Sequence, residues 1–335
     1  MATAQQHIES VISEALKILN IEHGSIVLER PVQREHGDFA SNMAMVLAKQ
    51  QSANPRELAT KIVQEISKKK PDFLEKIEVA GPGFINFSLA KKYFEHMVFT
   101  IRKEGETYGH ADLGKGRIAI VEFSSPNIAK PFTIGHLRST IIGDAVANIL
   151  AFSGYSVMRD NHLGDWGTQF GKEIVAIKKW GSEAELDKSD EPVKMLVDLY
   201  VKFHTEAEKD PKLDDEARAW FAKLEAGDKE ARRLWKKCID WSMVQFNAIY
   251  KQLGVKFDMM LGESFFEDKM TDLIAELKKK KIATVSQGAL LVFFPDDKYP
   301  PLMIQKKDGA TLYSTRDLAT DRYRVSKWGK DVLIV

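Results

Sequence analysis

Residues 117–161 read RIAIVEFSSPNIAKPFTIGHLRSTIIGDAVANILAFSGYSVMRDN, and the succession of patterns in this stretch decides the fold class. Ile118–Phe123 is an apolar run of strand length, Ser124–Thr133 is a polar loop with two prolines, and the segment from about Gly135 to Phe152 is helical. A second strand follows over Ser156–Asn161. Strand, helix and strand make a βαβ unit, whose right-handed crossover puts the first loop at the carboxyl edge of a parallel sheet, where open α/β folds bind ligands. The familiar phosphate cradles do not fit this loop. No G-x-x-x-x-G-K-[ST] occurs, and Gly114-Lys115-Gly116 precedes the first strand instead of following it. The turn into the helix carries Thr133-Ile134-Gly135-His136 instead. Gly135 permits close backbone approach, and His136 falls in the first helical turn, beside unsatisfied N–H groups and the positive end of the helix dipole. That place suits a phosphate. Alone, His136 reads first as a capping or packing histidine; Lys130 and Asn127, six and nine residues upstream, shift the balance toward a ligand.

Working outward toward the N-terminus, Ile8, Val11, Ile12, Ala15, Leu16 and Leu19 mark one buried face of a helix over 2–19. A second helix is expected from Phe39 to Lys49, and a third from Pro55 to Lys69 with Asn54 as its N-cap. Glu78–Phe87 reads as strand on both sides of the turn Gly81-Pro82-Gly83, and Lys91–Lys103 as helix. Residues 1–110 therefore form an α+β domain, and 111–335 a separate α/β domain. Within the latter, about 182–260 is a helical insertion with helices Val193–Glu208, Asp214–Ala226 and Lys229–Leu253. Its Trp220, Phe221, Leu224, Trp235, Trp241 and Phe246 have the spacing of a core, not of a base-stacking surface. Beyond Asp258 the α/β character returns, with a helix over Asp268–Lys281 and strands near Ala289–Phe294 and Leu302–Ile304. The Gly-rich block Gly164–Gln169 reads either as a tight helix start or as the floor of a pocket.

Composition excludes whole classes. With 44% hydrophobic and 29% charged residues, 11 Pro and 21 Gly in 335 residues, the chain is neither disordered nor collagen-like. Its apolar runs fall short of the roughly 20 residues of a membrane span, and His7, Glu9 and Glu14 interrupt any signal peptide. One cysteine, Cys238, forms no internal disulfide, and no Cys/His cluster offers a zinc site, so a reducing cytoplasm is the expected location. The net charge of +1 hides a division: 15 acidic against 8 basic residues over 182–230, then 19 basic against 13 acidic over 231–335. Such asymmetry admits a polyanionic partner, although a run of charge also serves a solvated helix face.

The stretch Val121–Asp144, followed by DNHLGDWGTQFG at 160–171, closely resembles arginyl-tRNA synthetases, which are class I aminoacyl-tRNA synthetases. The Ile134-Gly135-His136 element is similar to their HIGH motif. EHGDFASN (35–42) and GPGFIN (81–86) resemble the domain this family carries before its catalytic core, and KKDGATLYSTRDLA (306–319) resembles a further family segment. A HIGH-like tetrapeptide is weak by itself; long matches in the same order are strong.

The resemblance implies an α/β, Rossmann-like class I core with a helical insertion, incomplete here, preceded by the α+β domain, which touches tRNA in the family. It implies ligation of L-arginine to tRNA(Arg) through an arginyl-adenylate, with ATP and its Mg2+ and no dedicated protein metal site, in a monomeric parent. Lys130 and His136 then contact ATP phosphates as catalytic residues, with Thr133 and Gly135 beside the nucleotide. The motif region runs through Pro126, Asn127, Ile128, Ala129, Lys130, Pro131, Phe132, Thr133, Ile134, Gly135 and His136. Glu122, Tyr313 and Asp317 hold the guanidinium, while Ser125 and Asn127 hold the α-amino and carboxylate groups. A buried guanidinium does need carboxylates to meet its five donors, and Tyr313 and Asp317 share a face if their segment is helical. Thr133 stands where the family motif has its first histidine; it donates a hydrogen bond but carries no charge. The apolar run Asp331–Val335, with no KMSKS-like loop or helical anticodon-binding domain after it, sets the expectation of an N-terminal portion inactive alone. A non-catalytic tRNA- or RNA-binding piece of a class I synthetase is the alternative.

Overall fold

In the computed structural model, which describes residues 3–335, the chain separates into two units with their own packing, one ending at Gly109 and the other beginning at His110. The first unit runs α1 (Ala4–Ile18), β1 (Phe39–Ser41), α2 (Met43–Gln51), α3 (Pro55–Lys68), β2 (Leu74–Ala80), β3 (Phe84–Leu89) and α4 (Lys91–Glu104). The strands form an antiparallel sheet in the order β1-β3-β2. Ile8, Ile12 and Leu16 of α1, Leu47 of α2 and Ile62 of α3 pack with Ile85 and Phe87 of β3. Asn54 caps α3 by accepting the N–H groups of Arg56 and Glu57.

Phe39–Ser41 is a strand, not the first turn of the helix expected from Phe39. Its ladder explains why: Phe39 lies opposite Phe87 and Ser41 opposite Ile85, so the alternation of burial along β1 serves the sheet. The helix begins only at Met43. Gly37, at φ +83°, makes the approach to β1 possible, since a Cβ there would stand 2.6 Å from the Phe87 carbonyl oxygen.

The second unit contains β4 (Ile118–Glu122), α5 (Ile134–Phe152), β5 (Ser156–Asp160), then α6 (Gln169–Trp180), α7 (Glu183–Leu186), α8 (Pro192–Ala207), α9 (Lys212–Glu225) and α10 (Lys229–Leu253). It continues with α11 (Glu267–Lys279), β6 (Thr284–Ser286), β7 (Ala289–Val292), β8 (Leu302–Gln305), α12 (Tyr313–Trp328) and β9 (Leu333–Ile334). The βαβ reading holds: β4 and β5 are parallel, in register from Ile118 opposite Ser156 to Glu122 opposite Asp160. β9 adds a further parallel strand on the other side of β4. α5 is pressed so close to β4 that a Cβ on Gly143 would lie 2.1 Å from the Phe123 side chain. Helices α6 to α10 enclose their own core, where Phe170, Leu196, Leu224 and Phe246 are fully buried and Trp166 and Trp241 nearly so. Trp220, Phe221 and Trp235 pack against that core. β6, β7 and β8 form an antiparallel meander. Among the described residues, no helix is long and apolar enough to cross a membrane.

Candidate active site

The loop from β4 to α5 holds three non-glycine residues at positive φ, Ser124 (73°), Ser125 (46°) and Ala129 (59°). Each such residue costs roughly 1–2 kcal/mol, so the surroundings must enforce the shape. They do so from several elements. The Ser124 hydroxyl pairs with the Tyr250 hydroxyl of α10 at 2.7 Å, and Tyr250 also accepts from the Asn161 amide at 3.0 Å. The Ser125 N–H donates to Asn161 Oδ1 (3.2 Å) and the Ala129 N–H to Ser242 Oγ (2.9 Å). Backbone bonds from Ile128 to the Gly164 carbonyl and from Gly164 to the Pro126 carbonyl complete the clamp. Asn127 lies against Gly164, where a Cβ would meet its Oδ1 at 2.5 Å.

At the start of α5, Thr133 is extended, and its N–H donates to His136 Nδ1 at 3.0 Å. A backbone N–H only donates, so Nδ1 is the acceptor and the ring proton sits on Nε2. Burial lowers the pKa of His136, which favours this neutral tautomer. The Thr133 hydroxyl lies 3.2 Å from the same nitrogen. Thr133 thus orients the His136 ring. Gly135 is open: a Cβ there would meet nothing nearer than Thr133 Oγ1 at 3.5 Å. It borders a cavity of about 440 Å³ whose walls include Glu122, Phe123, Arg138 and Gly143. Lys130 is exposed on the loop, and its charge opposes the upward pKa shift of Glu173, a carboxyl of α6 that burial pushes well above the ordinary range.

Glu122, expected to face a guanidinium, faces one belonging to the chain itself. Arg324 of α12 donates from Nη2 both to Glu122 Oε2 (2.5 Å) and to Asp160 Oδ2 (2.8 Å). Arg324 is 3% exposed and Asp160 0%. Burial works against the Arg324 charge, yet the bonds to Asp160 and Glu122 leave its pKa raised. Glu122, His162, Asp317, Thr320, Asp321 and Arg324 enclose a second cavity of about 150 Å³. Glu122 is therefore common to both cavities. Asp317 is not held by its neighbours: Arg316 binds Glu263 and Glu267, and Arg322 binds Glu276. Burial, then the nearby Glu122, raises the Asp317 pKa; Asp321 is raised by burial too, against the pull of Arg324. Tyr313 opens α12 one turn before Asp317, as the helical spacing required, but is 76% exposed and does not border this cavity.

Arg324, Asp160, Asp321 and His162 were not among the residues singled out from the sequence. A signal did exist for two of them. Tyr313, Asp317, Thr320, Asp321 and Arg324 follow one another at helical spacing along one stripe of α12. His162 lies two residues beyond the end of β5, and its Nδ1 is buried with no partner among the described residues.

Residues 97–335 match the catalytic domain described for class I tRNA synthetases (R), and residues 4–89 match the arginyl tRNA synthetase N terminal domain. The chain belongs to the arginyl-tRNA synthetase family. The arginine–tRNA ligase of Clostridium perfringens (strain 13 / Type A) is 44% identical over 317 residues, which are 94% of this chain and 55% of that protein. That of Halothermothrix orenii is 41% identical over 341 residues, 100% of this chain and 59% of that protein. The chain thus spans a little over half the length of these curated relatives. Two solved arginyl-tRNA synthetases share the fold: that of Plasmodium falciparum at TM-score 0.76 and 23% identity, covering 98% of this chain and 64% of its own. For the Thermus thermophilus structure the values are 0.70 and 22%, with 96% and 53% covered.

In this member of the family, the block Gly164–Gln169 has a structural part. The Asp165 carboxylate accepts from the Ser264 N–H (2.8 Å) and hydroxyl (2.7 Å), and the Asp165 carbonyl accepts from Trp235 Nε1 (2.7 Å). The chain so ties the turn after β5 both to α10 and to the segment before α11.

Proposed function

We propose that this chain carries the ATP and L-arginine sites of an arginine–tRNA ligase, which joins arginine to tRNA(Arg) by way of an arginyl-adenylate. The observation that carries the reading is the position of Glu122, a wall shared by the cavity at the start of α5 and the acidic cavity under α12. A substrate with a cation at one end and a carboxylate at the other fits between them. Its guanidinium pairs with Asp317 and with Glu122 Oε1, the oxygen that Arg324 leaves unused. Ser125 and Asn127, on the clamped loop, receive the α-amino and carboxylate groups.

ATP lies beside Gly135 with its phosphates toward the first turn of α5, where unsatisfied N–H groups and the helix dipole favour negative charge. His136 donates from Nε2, the nitrogen that Thr133 leaves free to donate, and Lys130 brings a positive charge to the same region. One carboxylate oxygen of arginine then bonds to the α-phosphorus as the bond to pyrophosphate breaks. Positioning and charge stabilisation carry such a transfer, and no enzyme nucleophile is required. Among the described residues, no group of three or more His, Cys, Asp and Glu is arranged to hold a metal ion, so Mg2+ belongs to the nucleotide in this reading. Transfer to tRNA(Arg), with the first unit as a tRNA contact, a monomeric assembly and a cytoplasmic setting complete the proposal.

Titration calorimetry of the 335-residue chain with L-arginine, L-citrulline and ATP tests it. Arginine binds and its neutral isostere citrulline does not, and Asp317→Asn weakens arginine binding by about tenfold or more while ATP affinity holds. Equal losses for arginine and ATP would count against a guanidinium pocket.

A further inference from the structure

Glu122 and Asp160 are register partners on adjacent parallel strands, so their carboxylates lie side by side where β4 and β5 end. Two like charges at this spacing repel, and Asp160 is fully buried, with only the Leu261 N–H at 3.3 Å as a further polar partner. One group resolves the conflict. The Arg324 Nη2 spends one hydrogen on each carboxylate, while Nη1 stands 3.8 Å from Asp321 and Nε is buried with no acceptor. The guanidinium is therefore held through Nη2, and Glu122 is held through Oε2. Its Oε1 remains, and Glu122 and Asp317 both line the acidic cavity.

We infer that Arg324 is a positioning residue for the amino-acid substrate: by pinning Glu122 Oε2 to Asp160 it turns Oε1 toward the incoming guanidinium. The inference rests on the reading of the acidic cavity as an arginine pocket. It also opposes the simplest electrostatic expectation. A cation inside a cation-binding pocket competes with its ligand, and removing it deepens the negative potential and tightens cation binding. A positioning role gives the opposite sign, because a Glu122 side chain without its partner swings away from the position in which Oε1 meets a guanidinium.

The two signs are separated by titrating the 335-residue chain and its variants with L-arginine, L-citrulline and ATP. Arg324→Gln removes the charge, and Arg324→Lys keeps it without the fork. Arg324→Gln combined with Asp160→Asn avoids stranding a buried carboxylate if the single variant does not fold. The expected result is a rise of about tenfold in the arginine Kd for Arg324→Gln or the double variant, partial recovery in Arg324→Lys, and an ATP Kd within about twofold of the parent. Tighter or unchanged arginine binding overturns the inference. So does a parallel loss of arginine and ATP binding, which marks a purely structural cation. If the parent chain distinguishes arginine from citrulline, the pocket stands whatever the variants do; if it binds neither, the pocket and the inference fall together.

Discussion

Asp317 and Asp321 both titrate above the ordinary carboxylate range, Asp317 because of burial and Glu122, Asp321 because of burial. A raised folded pKa means that these groups hold protons at a pH where free carboxylates have lost them. A bound guanidinium requires them ionised. Binding of arginine in weakly acidic buffer should therefore release protons, and affinity should fall as pH drops through the raised values. Calorimetry in buffers of differing ionisation enthalpy measures the release; a proton count of zero across the acidic range would remove the two aspartates from the pocket. This behaviour was half legible beforehand. Asp317 and Tyr313 could be placed on one helix face from spacing alone, whereas the tie between Glu122 and Arg324 could not, since 202 residues separate them and no periodicity links a strand end to a distant helix. His136 at a helix start was readable; that Thr133 sets its tautomer emerged only from the distances.

At the scale of elements, α6 carries a contradiction. Glu173 is 2% exposed, within the apolar core of the helical region, and its Oε2 has no hydrogen-bond partner. Burial raises its pKa far above the unfolded value, so the native state binds more protons than the unfolded state between the two, and stability falls as pH rises through that window. Glu173→Met, close in volume and apolar, should stabilise the chain by about 1–3 kcal/mol at neutral pH and flatten the loss toward alkaline pH. Thermal unfolding at several pH values checks both; a lower melting temperature at every pH would show that Glu173 has a partner that offsets its burial. Helices were the most readable elements because their apolar stripes persist over many residues. β1 was misread for the opposite reason: across Phe39–Ser41 a strand and the first turn of a helix bury much the same residues, and the ladder to β3 decides between them.

At the scale of the whole chain, the parallel pair β4 and β5 could be read from the order of patterns, but what allows their ends to coexist could not. Glu122 and Asp160 meet as soon as the two strands pair, while the cation that separates their charges lies 164 residues beyond Asp160. Kinetics should record this. Until α12 docks, the centre of the sheet brings two carboxylates together as water leaves, so productive strand pairing waits for a distant helix, and closing so long a loop is slow. Replacing Asp160 by Asn removes the conflict without the helix. Refolding followed by stopped-flow fluorescence should be faster in Asp160→Asn than in the parent chain, even though the finished Arg324 bridge loses one carboxylate. Equal rates would place the pairing of β4 with β5 after the barrier. An ion pair that reads as static in the folded chain is then also a timing device, making the carboxyl edge of the β4–β5 pair wait for α12.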